Sequence, residues 1–198
     1  MMGRTADIRR ATNETNIALF LDLDGKGKAE IATGIGFFDH MLNSFARHGF
    51  FDLKVKVTGD LYVDSHHTIE DTGIVLGQAI REALGDKVGI QRFGSFLLPM
   101  DETLILASLD LSGRPYLVYD VTLTTDRVGY FDTEMVKEFF YSVSYAAGMN
   151  LHLKQISGSN HHHIIEGCFK AFAKALDIAT QYDERISKTE VLSTKGVL

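Results

Sequence analysis

Twice in this chain two adjacent histidines stand ahead of a glutamate with two residues between: His66-His67-Thr68-Ile69-Glu70 and His162-His163-Ile164-Ile165-Glu166. Imidazole and carboxylate together make a ligand set for a first-row divalent metal such as Mn, Fe, Co, Ni or Zn. The order is not HExxH, where the glutamate lies between the histidines, so the motif does not read as a metalloprotease. Each copy opens a stretch of helical periodicity, DTGIVLGQAIREAL after the first and GCFKAFAKALDIA after the second. On a helix, neighbours diverge by about 100 degrees, whereas residues three or four apart share a face. Each glutamate therefore sides with one histidine of its pair at a time. Two ions, each collecting ligands from several parts of the chain, are the simplest arrangement. A single histidine at a helix start is more often a hydrogen-bonded surface residue; recurrence of the whole motif is what argues for ligation.

Two further histidines fit the pattern. His40 lies in FFDHMLNSFARH beside Asp39, and His152 stands between Leu151 and Leu153 in a strand-like run, facing away from both. The candidate metal set is then His40, His66, His67, Glu70, His152, His162, His163 and Glu166, enough for two ions of octahedral habit with positions left for substrate. No thiolate cluster is present, which disfavours structural zinc or iron–sulfur. Arg92, Arg114 in SGRP and Lys170, four residues after Glu166, would clamp a phosphate if they converged, although each alone reads as a surface charge. Glu14, Asp64, Asp71, Asp101 and Glu102 are the carboxylates available either for acid–base work or for orienting histidine rings and helix starts.

The elements that must position these groups also repeat. DETLILASLDLSG from Asp101 matches ETNIALFLDLDG at Glu14/Glu102, Thr15/Thr103, Asp22/Asp110, Leu23/Leu111 and Gly25/Gly113, all at an offset of 88 residues. Phe37–His48 and Met135–Ala147 are amphipathic helical patterns, each ended by a glycine. FFDLKVKVTG and MNLHLKQISG then alternate as strands, and the two histidine motifs begin the last helix of each half. The first strand, continued through Asp24–Gly27 to Ile31, predicts a hairpin. The halves are expected at 1–90 and 91–182, packed around a shared interior, with 183–198 a polar tail lacking periodicity.

A chain of 198 residues with 45% apolar residues sustains a substantial core, and a net charge of -6 without a basic stripe excludes a general nucleic-acid binder. Cys168, the single cysteine, rules out an internal disulfide and suits a reducing compartment. No signal-peptide core and no run of membrane-spanning length occur, so neither membrane nor secretion is expected.

TGIGFFDHML, RHGFFDL, GDLYVDSHHTIEDTGIVLGQA, PMDE, DLSGRP, NHHHIIEGCFKAFAKAL and STKG, in that order, closely resemble the imidazoleglycerol-phosphate dehydratases of histidine biosynthesis, in their monofunctional form. The likeness runs from about residue 4 to the C-terminus. It implies an α+β fold, an internally duplicated unit with helices packed between two mixed β-sheets (ribosomal protein S5 domain 2-like). It also implies two Mn2+ per active site at subunit junctions, trimers assembled into a 24-mer, and a cytoplasmic enzyme without a plastid-targeting segment.

By motif position the resemblance gives one ion His66, His152, His162 and Glu166, and the other His40, His67, Glu70 and His163. The implied reaction removes water from D-erythro-imidazole-glycerol phosphate to give imidazole-acetol phosphate, with Glu14, Asp101 and His48 as catalytic candidates. Glu14, His40, His66, Arg92, Arg114, Lys170, Ser193 and Lys195 are the implied substrate contacts, so that the tail closes over ligand. Leu192 stands where the family often has proline, and Gly167 where alanine is typical, at a cost of up to about 1 kcal/mol in helix propensity. Other readings are another metal-dependent lyase or hydrolase acting on a phosphorylated polyol, and a non-enzymatic metal-binding shell protein. Converging basic residues would go unexplained by the last.

Overall fold

The computed structural model describes residues 3–186 and 189–198, so that Ser187 and Lys188 of the expected tail lie outside the described residues. Elements run β1 (Thr5–Ala11), β2 (Thr15–Asp22), β3 (Ala29–Ala32), α1 (Gly36–Gly49), β4 (Asp52–Gly59) and α2 (His66–Leu84) in the first half. The second half has β5 (Phe93–Met100), β6 (Thr103–Asp110), β7 (Tyr116–Asp120), the two-residue strands β8 (Arg127–Val128) and β9 (Phe131–Asp132), α3 (Met135–Ala147), β10 (Asn150–Ser157) and α4 (His161–Thr180). Two four-stranded sheets share one topology, β1-β2-β4-β3 and β5-β6-β10-β7. In each, the last strand runs parallel to its neighbour and the others are antiparallel. The fold is the duplicated α+β arrangement that the resemblance implies.

Strand alternation decides which face meets the helices. Ile17, Leu19 and Leu21 on β2, and Leu53, Val55 and Val57 on β4, point inward, as do Ile105, Ala107 and Leu109 on β6 and Leu151 and Leu153 on β10. α2 covers the first sheet and α4 the second, and the helices then meet crosswise, α2 against α3 and α1 against α4. Phenylalanines stitch the halves together: Phe45 stacks on Phe172 at 5.5 Å and Phe38 meets Phe139 edge-on at 5.3 Å, while Phe139 stacks on Phe169 within the second half at 5.0 Å. All are buried. Each such ring withdraws enough apolar surface to contribute about 1.5–3 kcal/mol.

Two expectations need correction. The hairpin turning at Asp24–Gly27 is absent, because β4 inserts between β2 and β3. Asp52 Oδ1 accepts hydrogen bonds from the backbone N–H groups of Lys26 and Lys28 at 2.8 and 2.9 Å, which ties that loop to β4 and sends β3 alongside it. β1 and β5 escaped the periodicity argument. β1 is an edge strand whose outward residues Asp7 and Arg9 look like loop. Finally, α1 ends on Phe50, which takes the left-handed conformation at φ 59°, whereas α3 ends on Gly148 at φ 67° as expected. Gly49 serves packing: a Cβ there would lie 2.2 Å from the Phe51 ring.

Candidate metal centre

The two histidine motifs are the first turns of α2 and α4, as their spacing predicts. Asn160 caps α4, its Oδ1 accepting from the N–H groups of His162 at 3.0 Å and His163 at 3.3 Å. At the other start, the His66 N–H donates to Asp64 Oδ1 at 2.7 Å, and Ser65 Oγ donates to Asp132 Oδ2 at 3.0 Å. The β8–β9 hairpin thus braces the first motif. Its Phe131 also meets Phe37, whose ring lies edge-on to His162 at 5.1 Å. Neither Phe37 nor the hairpin was singled out in the sequence.

The same geometry then appears twice. The first histidine of each pair reaches its own glutamate one turn on: His66 Nε2 to Glu70 Oε2 at 3.2 Å, His162 Nε2 to Glu166 Oε2 at 3.0 Å. The second turns aside to other carboxylates. His67 Nδ1 is 3.0 Å from Asp60 Oδ2 and its Nε2 3.7 Å from Glu14 Oε1. His163 Nδ1 is 2.8 Å from Glu102 Oε2 and its Nε2 3.8 Å from Asp101 Oδ2. Adjacent rings lie 6.0 and 6.2 Å apart at steep angles, 77° and 82°. These hydrogen bonds raise both second histidines above the ordinary imidazole range, and His163 with the Asn160 and Ser159 N–H groups holds Glu102 well below the usual carboxylate range.

Among the described residues, one cluster brings three donors close enough together to seat a metal. His40 comes from α1 to join His162 and Glu166, and one donor atom of each lies within 4.8 Å of the others. The resemblance divides these residues between two ions; the packing of α1 on α4 gathers them. A cavity of about 410 Å³ opens beside them, lined by Asn43, Ser44, Arg47 and His48. Burial and the Lys170 charge lower His48 below the ordinary imidazole range. Burial opposes charge on Glu166, but Lys170, with Nζ 2.6 Å from Oε1, outweighs it and holds the carboxyl below its usual range.

Other expected site residues lie apart from this cluster. His152 is exposed on β10, on the face of the second sheet opposite Leu151 and Leu153. Arg92 donates its backbone N–H to Ala179 O at 2.9 Å and pairs bidentately with Asp110 at 2.7 and 3.0 Å. That is roughly 20 Å along α4 from Glu166, at 1.5 Å per residue. The tail folds to the same end: Gly89 N–H donates to Glu190 O at 2.9 Å and Arg92 Nη1 to Leu192 O at 2.7 Å, and Leu198 packs on the Gly113 turn beside Arg114. Ser193 and Lys195 therefore sit with Arg92, and Lys170 with the triad. Among the remaining candidates, Asp71 is buried and holds Arg10 and Thr15, each at 2.5 Å; His161, outside the candidate set, has its Nε2 on Thr124 and so fixes a loop. Asp60 was missed; its only signal is a carboxylate in the loop ahead of the first motif.

A family model described as imidazoleglycerol-phosphate dehydratase matches residues 33–176. The imidazoleglycerol-phosphate dehydratase of Lachnoclostridium phytofermentans is 68% identical, and that of Acetivibrio thermocellus 58%, each over the full length of both chains. Two solved structures share the fold at 40% identity. The Staphylococcus aureus enzyme aligns with a TM-score of 0.82 over 90% of this chain and 99% of its own. The Pyrococcus furiosus enzyme, solved in complex with (S)-C348, aligns at 0.83 over 96% and 100%. With its doubled histidine motifs in place and its whole length matched, the chain belongs to the imidazoleglycerol-phosphate dehydratase family, a family of hydro-lyases.

Proposed function

We propose that this chain converts D-erythro-imidazole-glycerol phosphate to imidazole-acetol phosphate and water, at a site that takes two Mn2+ and is completed by neighbouring copies of the chain. The observation that carries it is the His40–His162–Glu166 cluster. Its donors fit the metal, since imidazole and carboxylate without thiolate suit Mn2+. These three would hold one ion, and His66, His67, Glu70, His152 and His163 are the remaining ligands to be shared among chains. Bound Mn2+ supplies the positive charge that makes the substrate's imidazole an electron acceptor and steadies its diol oxygens.

The rest falls to side chains. Glu14, on the Nε2 side of His67, takes the carbon-bound proton; the adjacent C–O bond breaks, its oxygen leaves as water after gaining a proton, and the enol tautomerises to the ketone. Asp101 stands in the equivalent place beside His163 and shares the proton transfers. His48 contacts the substrate from the cavity, and Arg92, Arg114, Lys170, Ser193 and Lys195 hold the phosphate. Because Arg92 and the tail sit a helix-length from the triad, they reach a substrate there only from another chain. The exposed outer face of the second sheet supports that assembly: Val118 is paired beside His152, and Phe93, Leu97, Tyr116 and Ile156 add exposed apolar area among the polar Ser95, Ser108 and Lys154, a mixed surface suited to burial against a copy. Trimers joined into a 24-chain shell, in the cytoplasm, belong to the same proposal.

The test is consumption of the diol phosphate with and without added Mn2+, in wild type and Glu14→Gln. We expect Mn-dependent turnover, and in the variant unchanged metal content with turnover lost by about 10²–10⁴-fold. Metal-free protein with full activity ends the metal reading; an active Glu14→Gln removes Glu14 from its role.

A further inference from the structure

The two glutamates related by the repeat, Glu14 and Glu102, approach equivalent histidines from opposite sides. Glu14 faces Nε2 of His67, whereas Glu102 binds Nδ1 of His163. In the first half the Nδ1 partner is Asp60 instead, and in the second the Nε2 side falls to Asp101. Each half thus ends with one carboxylate on either nitrogen, built from different residues. We infer that Asp60 and Glu102 are positioning residues: each accepts the Nδ1 hydrogen of the second histidine of its motif, so that Nε2 is left bare and aimed at the metal.

The hydrogen-bond inventory makes the two unequal. An ionised carboxylate only accepts, so an imidazole nitrogen within hydrogen-bond distance of one carries the hydrogen; Nδ1 is, at 3.0 and 2.8 Å, whereas the Nε2 contacts at 3.7 and 3.8 Å are too long for a hydrogen bond. Glu102 is locked in place from its other oxygen. Oε1 accepts the backbone N–H of Ser159 at 3.1 Å and of Asn160 at 2.8 Å, and the Thr103 hydroxyl at 3.1 Å, while Oε2 alone meets His163 Nδ1. Glu102→Gln keeps shape and size, but its carbonyl oxygen must stay with the two backbone donors. The amide NH2 then faces His163 Nδ1, forces that nitrogen to accept, and moves the ring hydrogen to Nε2, where it blocks ligation. Asp60 is free of this lock, because among the described residues its buried Oδ1 has no hydrogen-bond partner. Asp60→Asn can turn its oxygen toward His67 and keep the ring as it is.

This rests on the metal reading above, and the experiment separates the two. The full-length protein is stripped of metal and Mn2+ affinity and stoichiometry are measured by equilibrium dialysis, with thermal unfolding of each metal-free variant alongside. Wild type that takes up no Mn2+ overturns the metal reading itself. Given binding by wild type, Glu102→Gln should weaken Mn2+ at the affected site by about 10–100-fold with little change in metal-free stability. Glu102→Ala should be weakened less, because the ring is then free to choose its tautomer. Asp60→Asn should stay within about threefold of wild type, since no backbone donor holds its oxygen away from His67. If Glu102 merely braced the start of α4, the order would reverse, with Gln near wild type and Ala damaged; that order, or Asp60→Asn as weak as Glu102→Gln, overturns the inference. Should Glu102→Gln not fold, the comparison of Asp60→Asn with Asp60→Leu decides: the leucine must bind Mn2+ at least tenfold more weakly than the asparagine, and equal binding sinks the idea.

Discussion

Cys168 and His163 sit on one helix, yet their surroundings give them opposite chemistry. The thiol is enclosed by α4's packed face, and burial pushes it up to about 12. Thiolate is the reacting species, so native protein should resist iodoacetamide at neutral pH and label within minutes once unfolded. Rapid labelling of the folded protein would show that α4 opens. His163 stands at the exposed start of the same helix with a carboxylate on each side. Gly167, one turn later, is explained by neither chemistry nor propensity. A Cβ there would lie 2.8 Å from Ile105 Cγ1 in the buried contact with the second sheet, so alanine would lose in packing what it gained in the helix.

The glycines of the GIVLGQA stretch set how closely α2 and α3 approach. A Cβ at Gly77 would fall 2.6 Å from Val143 O and 2.7 Å from Ala146 Cβ, backbone and short side chain that cannot swing away. Gly77→Ala gains about 1 kcal/mol in helix propensity. Overpacking and the separation of the two helices cost more, and a net loss of about 2 kcal/mol in denaturant unfolding of the metal-free protein is expected. Stability equal to or above wild type would mean that the helices pack less tightly. At the strand ends, the Arg4 guanidinium binds Asp24 and also reaches the Thr180 carbonyl at the end of α4. Arg4 holds the Asp24 carboxyl below the usual carboxylate range. A depressed folded pKa adds stability that is present above the unfolded value, about 3.8, and is lost as pH falls through the folded value. The half-exposed pair is screened, so Asp24→Asn should lower Tm by only about 1–2 °C at pH 7. That gap should close below about pH 4; a gap that widens in acid would exclude this pair as its source.

At the scale of the molecule, the candidate metal ligands fall at separate places on the chain. The helix starts supply His40, His162 and Glu166 at one place and His66 and Glu70 at another, while His152 and Arg92 face elsewhere. If neighbours complete the site, His152→Ala and Glu14→Gln act in different chains around one centre. Each variant alone should then be nearly inactive, and refolding the two together should restore a measurable fraction of turnover, up to about a quarter if partners mix at random and each site draws on two chains. No recovery on mixing, with assembly intact by size-exclusion chromatography, would place both residues in one chain's site.

Much of this was legible in residue order because it depends on local periodicity. Histidines at the starts of α2 and α4, each with its glutamate one turn on, follow from helix geometry alone, as do the alternating faces of β2, β4, β6 and β10. The repeat announced two like halves, and the motifs announced the family. What no local rule contains is the crosswise packing of α1 on α4, which puts His40 with His162 and Glu166, or the insertion of β4 that undoes an apparent hairpin. Nor does spacing say which carboxylate takes which imidazole nitrogen: Asp60 and Glu102 reach His67 and His163 only because separate loops converge on each helix start. Periodicity fixes where a side chain points along its own element. Which elements become neighbours is settled by burying the phenylalanine core, and the chemistry of the histidine pairs is decided there.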